Sequence, residues 1–453
     1  MNSANSPLSR RGFLRTGALA TAAGFSLSAR ARAQVNKNSR LRVFQIGVGG
    51  IGGLERSQLK DHPMVEFAGF CDVDQRELEA IRGQFPGAWT VRDYREAFAG
   101  RAGEFDAVIV ETPDFHHAPM MLTAMKHGKH VYGQKPLVHQ LDELRQIREA
   151  LEAHPELVTQ MGNQRACLPG RMQAVELLRT DRLGRPVEAH VWTGGIEKGH
   201  YFADPWSAYT PAQPVPEALD WNLWLGPIPE EIPYSEDIAP RRWRAFWETG
   251  GGQLADWGCH LLDVLYFAYD LPSPVAVQTH TIRPANTGHS AHNRSTLTYP
   301  GGGRFARDRF VVNYNDSAQM PSFAALGLPP MKVPANHTLV VCEDGALLLQ
   351  ADGKLTIFRG GRVAEHEPMP EVAPRHHWRD WADNCLGAQK PLWAPFTVGW
   401  RITEPALLAV KATRFPGEEL RWDGAGCRFV GHDRANAEIV LRNYRAGFEP
   451  PAA

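Results

Sequence analysis

Apolar residues in the first third of the chain gather into short runs, "LRVFQIGVGG", "VEFAGFCDVD", "FDAVIVETP" and "KHVYGQKP". Each is rich in Val, Ile, Phe or Tyr, and the stretches between them carry helical spacing. Strands alternating with helices predict a parallel sheet with right-handed crossovers. The pattern therefore predicts an α/β fold with a doubly wound domain over residues 40–160. Beyond it the pattern changes. "LGRPVEAHVWTGG" begins a strand, and "TLTYPGGGRFARDRFVVNY" and "HTLVVCEDGALLLQADGKLTIFRGGRV" read as hairpins with glycine-containing turns. These predict a second, α+β domain over residues 161–435, built on a mostly antiparallel, open sheet. The helical stretches "RHHWRDWADNCLGAQKP" and "WRITEPALLAVKATRF" are expected to pack on one side of it. A Pro- and Trp-rich excursion runs from Gly199 to Gly250.

The first residues belong to neither pattern. Arg10 and Arg11 precede a mildly apolar run, "TGALATAAGFSLSA", that closes on the small residues Ala31 and Ala33. A charged start, an apolar run too short to span a bilayer and a small-x-small end predict a twin-arginine signal peptide over residues 1–33. The expected partner is the twin-arginine export machinery, and the expected location is the periplasm. No cysteine stands at the cleavage point, which argues against a lipid anchor. No other stretch reaches the ~18 apolar residues of a membrane span, so no membrane insertion is expected. Lys and Arg number 49 against 50 Asp and Glu, which removes any electrostatic reason to expect a nucleic-acid partner. Cys71, Cys167, Cys259, Cys342, Cys385 and Cys427 form no CxxC pair. A chain exported in the folded state is expected to carry them mostly as buried thiols.

Chemistry enters with Gly47, Gly49 and Gly52, which follow the first strand and open a helix as G-x-G-x-x-G. In a Rossmann domain the first glycine permits a tight turn, the second lets backbone approach a pyrophosphate, and the third lets helix and strand pack closely. Gly50 and Ile51 then place backbone N–H groups at the positive end of the helix. Asp72 ends the second strand, where a carboxylate accepts bonds from the adenosine ribose and repels a 2′-phosphate. NAD is expected as cofactor, with NADP as the alternative should Arg76 reach over. His116 with His117, and His376 with His377, raise the question of a metal. Adjacent side chains point in different directions, so no metal site is expected. Seven of the thirteen tryptophans lie between Trp192 and Trp257; their default role is packing, with a few faces open to a sugar ring.

The blocks "VIVETPDFHHAPMMLTAMKHGKHVYGQKPL", "QMGNQ" and "GGGQLADWGCHLLD" resemble the signatures of the glucose-fructose oxidoreductase, inositol dehydrogenase and MocA family, in family order. "LDWNLWLGP" and "RWRAFWETGGGQLADWGCH" are similar to an exported branch of it. The resemblance implies that Lys135, Asp256 and His260 are catalytic. It implies that Thr112, Pro113 and His117 border the nicotinamide ribose, and that Asn163, matching the strand entering the second domain, binds substrate together with Lys135 and His260. Residues four apart share one helix face, so Asp256 and His260 can meet one ligand. His260 is the natural base for a hydroxyl proton near neutral pH, and Lys135 would stabilise charge on the oxygen. A cis bond at Pro136 would fix the lysine's direction. Gln134 stands where the family usually has Glu, and loss of that carboxylate is expected to lower the lysine pKa.

The implied activity is oxidation of a secondary hydroxyl on a sugar, polyol or glycoside by a homo-oligomer. The alternatives are a redox-neutral, NAD-dependent glycoside hydrolase and a non-catalytic sugar-binding protein. An exported enzyme meets no soluble dinucleotide pool, so its cofactor is expected to stay bound.

Overall fold

The computed structural model describes residues 40–194, 200–202, 208–229 and 231–451; the expected export signal lies outside them. The first sheet is built as the apolar runs require. β1 (Leu41–Ile46), α1 (Ile51–Leu59), β2 (Val65–Cys71), α2 (Gln75–Gln84), β3 (Trp89–Val91), α3 (Tyr94–Arg101), β4 (Ala107–Val110), α4 (His117–Lys126), β5 (His130–Gly133), α5 (Leu141–Ala153) and β6 (Thr159–Met161) follow in turn. The six strands are parallel, in the order β3-β2-β1-β4-β5-β6. The order reverses between β1 and β4, which opens a crevice at their carboxyl ends. All four residues of β4 are buried, as expected of a strand covered on both faces.

The second domain comprises α6 (Pro169–Arg179), β7 (Pro186–Trp192), the short α7 (Trp221–Leu225), α8 (Gly252–Tyr269), β8 (Ala276–His280), β9 (Arg294–Pro300), β10 (Arg309–Asn315), β11 (His337–Cys342), β12 (Ala346–Gln350), β13 (Leu355–Arg359) and β14 (Arg362–Val363). α9 (His377–Cys385), α10 (Phe396–Lys411), β15 (Glu419–Asp423) and β16 (Arg428–Phe429) complete it. Its ten strands pair antiparallel except for β7 with β10. On β9 and β10 the buried Leu297, Tyr299, Phe310, Val312 and Tyr314 alternate with half-buried positions that are polar except for Val311, so one face meets the helices. α8 is apolar nearly all round, and a helix of that composition belongs in an interior. It packs between α6 and α10 against the sheet, so the helix carrying Asp256 and His260 is also the centre of the core.

Two segments cross the boundary that the sequence pattern implies. Trp381, Ala382 and Cys385 of α9 are buried against Val43, Leu59, Phe67 and Tyr132 of the first domain. The chain after residue 440 also returns to it: Arg442 donates to the Phe115 carbonyl at 3.0 Å, and Tyr444 donates to Glu143 at 2.7 Å. All six cysteines are free thiols, five of them buried. Among the described residues no helix is long and apolar enough to cross a membrane.

Candidate active site

A groove of about 960 Å³ runs from the carboxyl ends of β1, β2 and β4 to the face of α8. Its floor is the glycine turn. Gly47 has φ 85°, and a Cβ there would strike the Glu111 carbonyl. A Cβ on Gly52 would strike the Gly47 carbonyl and stand 2.8 Å from the Gln45 amide nitrogen. Both positions therefore need glycine. No side chain caps the start of α1 and its first turn carries no acid, so the positive end of the helix is open to an anion in the groove. These residues fit a dinucleotide pyrophosphate.

Asp72 lies on the groove with Gly47, Gly49, Gly50 and Ile51. Its carboxylate already accepts from the backbone N–H of Val48 and of Asp74, each at 3.0 Å. It thus holds the turn as well as facing a ribose. Burial raises it to about 6 against those two bonds. Arg76, the residue that could have favoured a 2′-phosphate, is folded back onto Asp74 at 2.5 Å.

At the far end the two domains meet. Lys135, whose bond to Pro136 is cis, pairs through Nζ with the Asp256 carboxylate. Asp256 also takes Arg244 Nε at 3.1 Å and the Tyr201 hydroxyl at 2.7 Å. Burial alone would raise Asp256, but the charges of Lys135 and Arg244 hold it well below the usual carboxylate range. It is an anchor for two cations. His260, one turn further along α8, lines the same space. Its Nδ1 lies 2.5 Å from Asn163 Oδ1, while the Asn163 amide donates to the Cys259 carbonyl and to Asp263, both at 3.0 Å. An amide that spends both N–H groups this way presents only oxygen to the ring, so the imidazole carries its proton on Nδ1. Nε2 then has a free lone pair. Burial, reinforced by the charge of Lys135, pushes His260 well below the usual histidine range, which keeps it neutral.

Three sequence expectations need adjustment. Asn163 is wholly buried and stands behind His260, off the groove wall, where its amide oxygen meets the ring. His117 is likewise buried. Its ring nitrogens lie 2.7 Å from the Pro136 carbonyl and 2.9 Å from that of Thr112, so it ties the lysine turn to the Thr112-Pro113 loop from behind the groove wall. Thr112 and Pro113 do line the groove. Gln134 does not leave Lys135 without carboxylates, because Asp256 pairs with it and Glu111 stands within reach of its charge.

Sequence reasoning missed Glu55, Glu111, Asp114, Arg165, Tyr201, Arg244 and Phe448. Asp114, inside the quoted "TPDFHH", accepts from the Gly251 N–H at 3.1 Å and is raised to about 7 by burial, with Asp256 adding to the rise. Arg244, inside "RWRAFWE", was equally in view. Arg165 lies over the Trp257 ring at 5.5 Å, and both line the groove. Trp224 and Trp243 line it too, while Trp192 and Trp247 are packing residues. The paired histidines diverge: His116 meets the Trp224 carbonyl, and His377 meets Tyr132. Among the described residues no cluster of metal ligands occurs.

A doubly wound domain whose glycine turn opens on a groove ending at a lysine, a carboxylate and a neutral histidine defines a dinucleotide-dependent oxidoreductase. The chain belongs to the glucose-fructose oxidoreductase, inositol dehydrogenase and MocA family. Residues 41–161 match its "Oxidoreductase family, NAD-binding Rossmann fold" and residues 173–315 its "Oxidoreductase family, C-terminal alpha/beta domain". Inositol 2-dehydrogenase of Rubrobacter xylanophilus is 28% identical over 36% of this chain and 47% of its own length. Inositol 2-dehydrogenase 3 of Saccharopolyspora erythraea is 24% identical over 63% of this chain and 88% of its own. The α-N-acetylgalactosaminidase of Shewanella oneidensis is 35% identical over 25% of this chain and 26% of its own. The WlbA dehydrogenase of Bordetella pertussis, solved with NADH and UDP-GlcNAcA, shares the fold at a TM-score of 0.60 and 15% identity, over 85% of this chain and 99% of that one.

Proposed function

We propose that the protein oxidises a secondary hydroxyl of a sugar, polyol or glycoside with an NAD that stays bound through many turnovers. The observation that carries this reading is the junction of Lys135, Asp256 and His260, with His260 Nε2 free toward the groove. Bound NAD supplies the hydride acceptor. His260 takes the hydroxyl proton at Nε2, and Lys135, steered by Asp256, holds the oxygen as negative charge develops. Trp257, with Arg165 over it, offers an aromatic face and a cation for a sugar ring.

Retention of the cofactor is supported by the roof of the groove beyond Asp72. The excursion is stitched to the end of β2, with Gln75 N donating to the Ala218 carbonyl at 2.9 Å and Asp220 N to that of Val73 at 3.0 Å. Phe448 of the C-terminal arm lines the same end. With the twin-arginine start, this suits cofactor loading before export to the periplasm. A bound cofactor that cannot exchange must be restored in place, which favours as second reading a redox-neutral cycle, including glycoside cleavage by transient oxidation. The half-buried polar positions of β9 and β10 offer a sheet face to a second subunit; light scattering on the purified protein tests that homo-oligomer. The function is tested by incubating the protein with a panel of polyols and glycosides while following nicotinamide absorbance and released sugar. Absorbance change alone supports oxidation, sugar release without it supports the cycle, and neither with any substrate defeats both.

A further inference from the structure

Beneath the reactive end of the groove lie two carboxyl groups that the mechanism above does not use. Glu55 of α1 is fully buried; it accepts from Gln134 Nε2 at 2.9 Å and from the Tyr132 hydroxyl at 3.1 Å. Glu111, at the end of β4, is also buried and lines the groove, yet neither of its carboxyl oxygens has a hydrogen-bond partner. Its position is tightly set, because a Cβ on Gly52 would lie 3.3 Å from the Glu111 Cβ. Glu111 therefore sits between the glycine turn and Lys135. The charged groups that face it are Glu55 from α1 and Lys135 from the end of β5, whereas Tyr132 meets Glu55. Two buried carboxyl groups that feel one another's charge do not both ionise. Burial pushes Glu55 to about 8 and, with the charge of Glu55 added, pushes Glu111 well above the usual carboxylate range.

We propose that Glu111 is the proton-holding group of this site: it gives up and takes back a proton as the positive charge of oxidised nicotinamide comes and goes. The inference rests on the proposed binding of NAD in this groove. A cationic ring near Glu111 favours its carboxylate, and a neutral ring favours its acid. When a hydroxyl-bearing carbon gives its hydride to the cofactor, the O–H proton is the only other product. His260 takes that proton first and is left neutral again when the proton ends on Glu111, so alcohol, oxidised cofactor and carboxylate become ketone, reduced cofactor and carboxylic acid, and no net proton leaves the protein. Re-reduction in place returns both, which is what a cycle closed within one pocket requires. Gln134 belongs to this device, since its amide donates to Glu55 where a glutamate would add a third acid.

The test is calorimetric titration of cofactor-stripped protein with NAD and, separately, NADH from pH 6 to 9, in buffers of different ionisation enthalpy. Binding of NAD is expected to release a proton, so that its affinity rises up to tenfold per pH unit across the titration, while affinity for NADH stays flat. Asp114 and Asp72 also face the groove, so the Asp114→Asn and Glu111→Gln variants are measured alongside. The pH dependence should vanish in Glu111→Gln, persist in Asp114→Asn, and move to lower pH in Glu55→Gln, which also carries the test if Glu111→Gln does not fold. Dependence that survives Glu111→Gln, or NAD binding without proton release, overturns the proposal and leaves the functional reading intact. Failure to bind either nucleotide overturns the functional reading itself.

Discussion

Removing residues 446–453, which leaves Arg445 as the last residue, should convert a retained cofactor into an exchanging one. The arm is held at the groove by Phe448, whose ring lies 3.9 Å from the Arg95 guanidinium and 4.3 Å from that of Arg445. Arg95 also donates to the Gly447 carbonyl at 2.6 Å. Each cation–π contact at a partly exposed site is worth about 0.5–1 kcal/mol, and the hydrogen bond about 1 kcal/mol. Opening the arm therefore costs about 2–3 kcal/mol, and release that waits on this opening should quicken about thirty- to 150-fold without it. Arg442 and Tyr444 remain, so their buried bonds to the first domain are kept. The assay loads both proteins with radiolabelled NAD, chases with unlabelled NAD, and separates bound label over time. The Phe448→Ala variant should fall between the two. Equal release rates from full-length and truncated protein would refute the arm as a gate, and would leave retention to the excursion alone.

Asn163→Ala should lower turnover about tenfold to a hundredfold on whichever substrate the panel identifies, with a smaller effect on KM, because the imidazole loses the acceptor that fixes its tautomer; unchanged kcat would show that the ring is oriented without it. Asp72→Ala should weaken NAD and narrow the preference over NADP, since it removes a ribose acceptor, a repulsive charge and the partner of the Val48 N–H; fluorescence titration with both nucleotides reads this, and an unchanged ratio would count against it. His377 is buried and pushed down to about 3 by that burial, so it stays neutral when folded while the unfolded chain takes up a proton at ~6.5. Its contribution to stability is thus present above pH 6.5 and is lost as pH falls below it, by about 1.4 kcal/mol at pH 5.5. Buried carboxyls such as Asp114 act with the opposite sign, so the measurement is the urea stability of wild type relative to His377→Gln: the gap should move by that amount in the variant's favour between pH 7.5 and 5.5, and a constant gap would refute it.

What could be read in the chain follows from what is local. Mostly apolar runs, unbroken in β4, marked the β1, β2, β4 and β5 region because a strand covered on both faces needs no polar alternation. The glycine spacing was legible because the collisions at Gly47 and Gly52 are with backbone a few residues away or on the next strand. The i, i+4 pair on α8 was legible for the same reason. Asn163 and His117 stand beside His260 and the lysine turn, but a side chain's partner is a three-dimensional fact. One orients His260, 97 positions further on, and the other holds the Pro136 carbonyl. Nothing in "RHHWRDWADNC" distinguishes a helix that packs on its own domain from one that docks on the other.

Gln134 shows the limit most clearly. Read alone, a glutamine in place of a glutamate removes a charge from beside the lysine. In the folded chain the charge is supplied from elsewhere: Asp256, 121 positions downstream, pairs with Lys135, while Glu55, 79 positions upstream, accepts the Gln134 amide. Neither Glu55 nor Glu111 has a sequence signature, because on α1 and at the end of β4 each occupies a position that an apolar side chain would fill equally well. A glutamate buried there is costly unless it holds its proton. That cost argues for use of the pair in the chemistry, since a site needing only packing would carry alanine or leucine in both places.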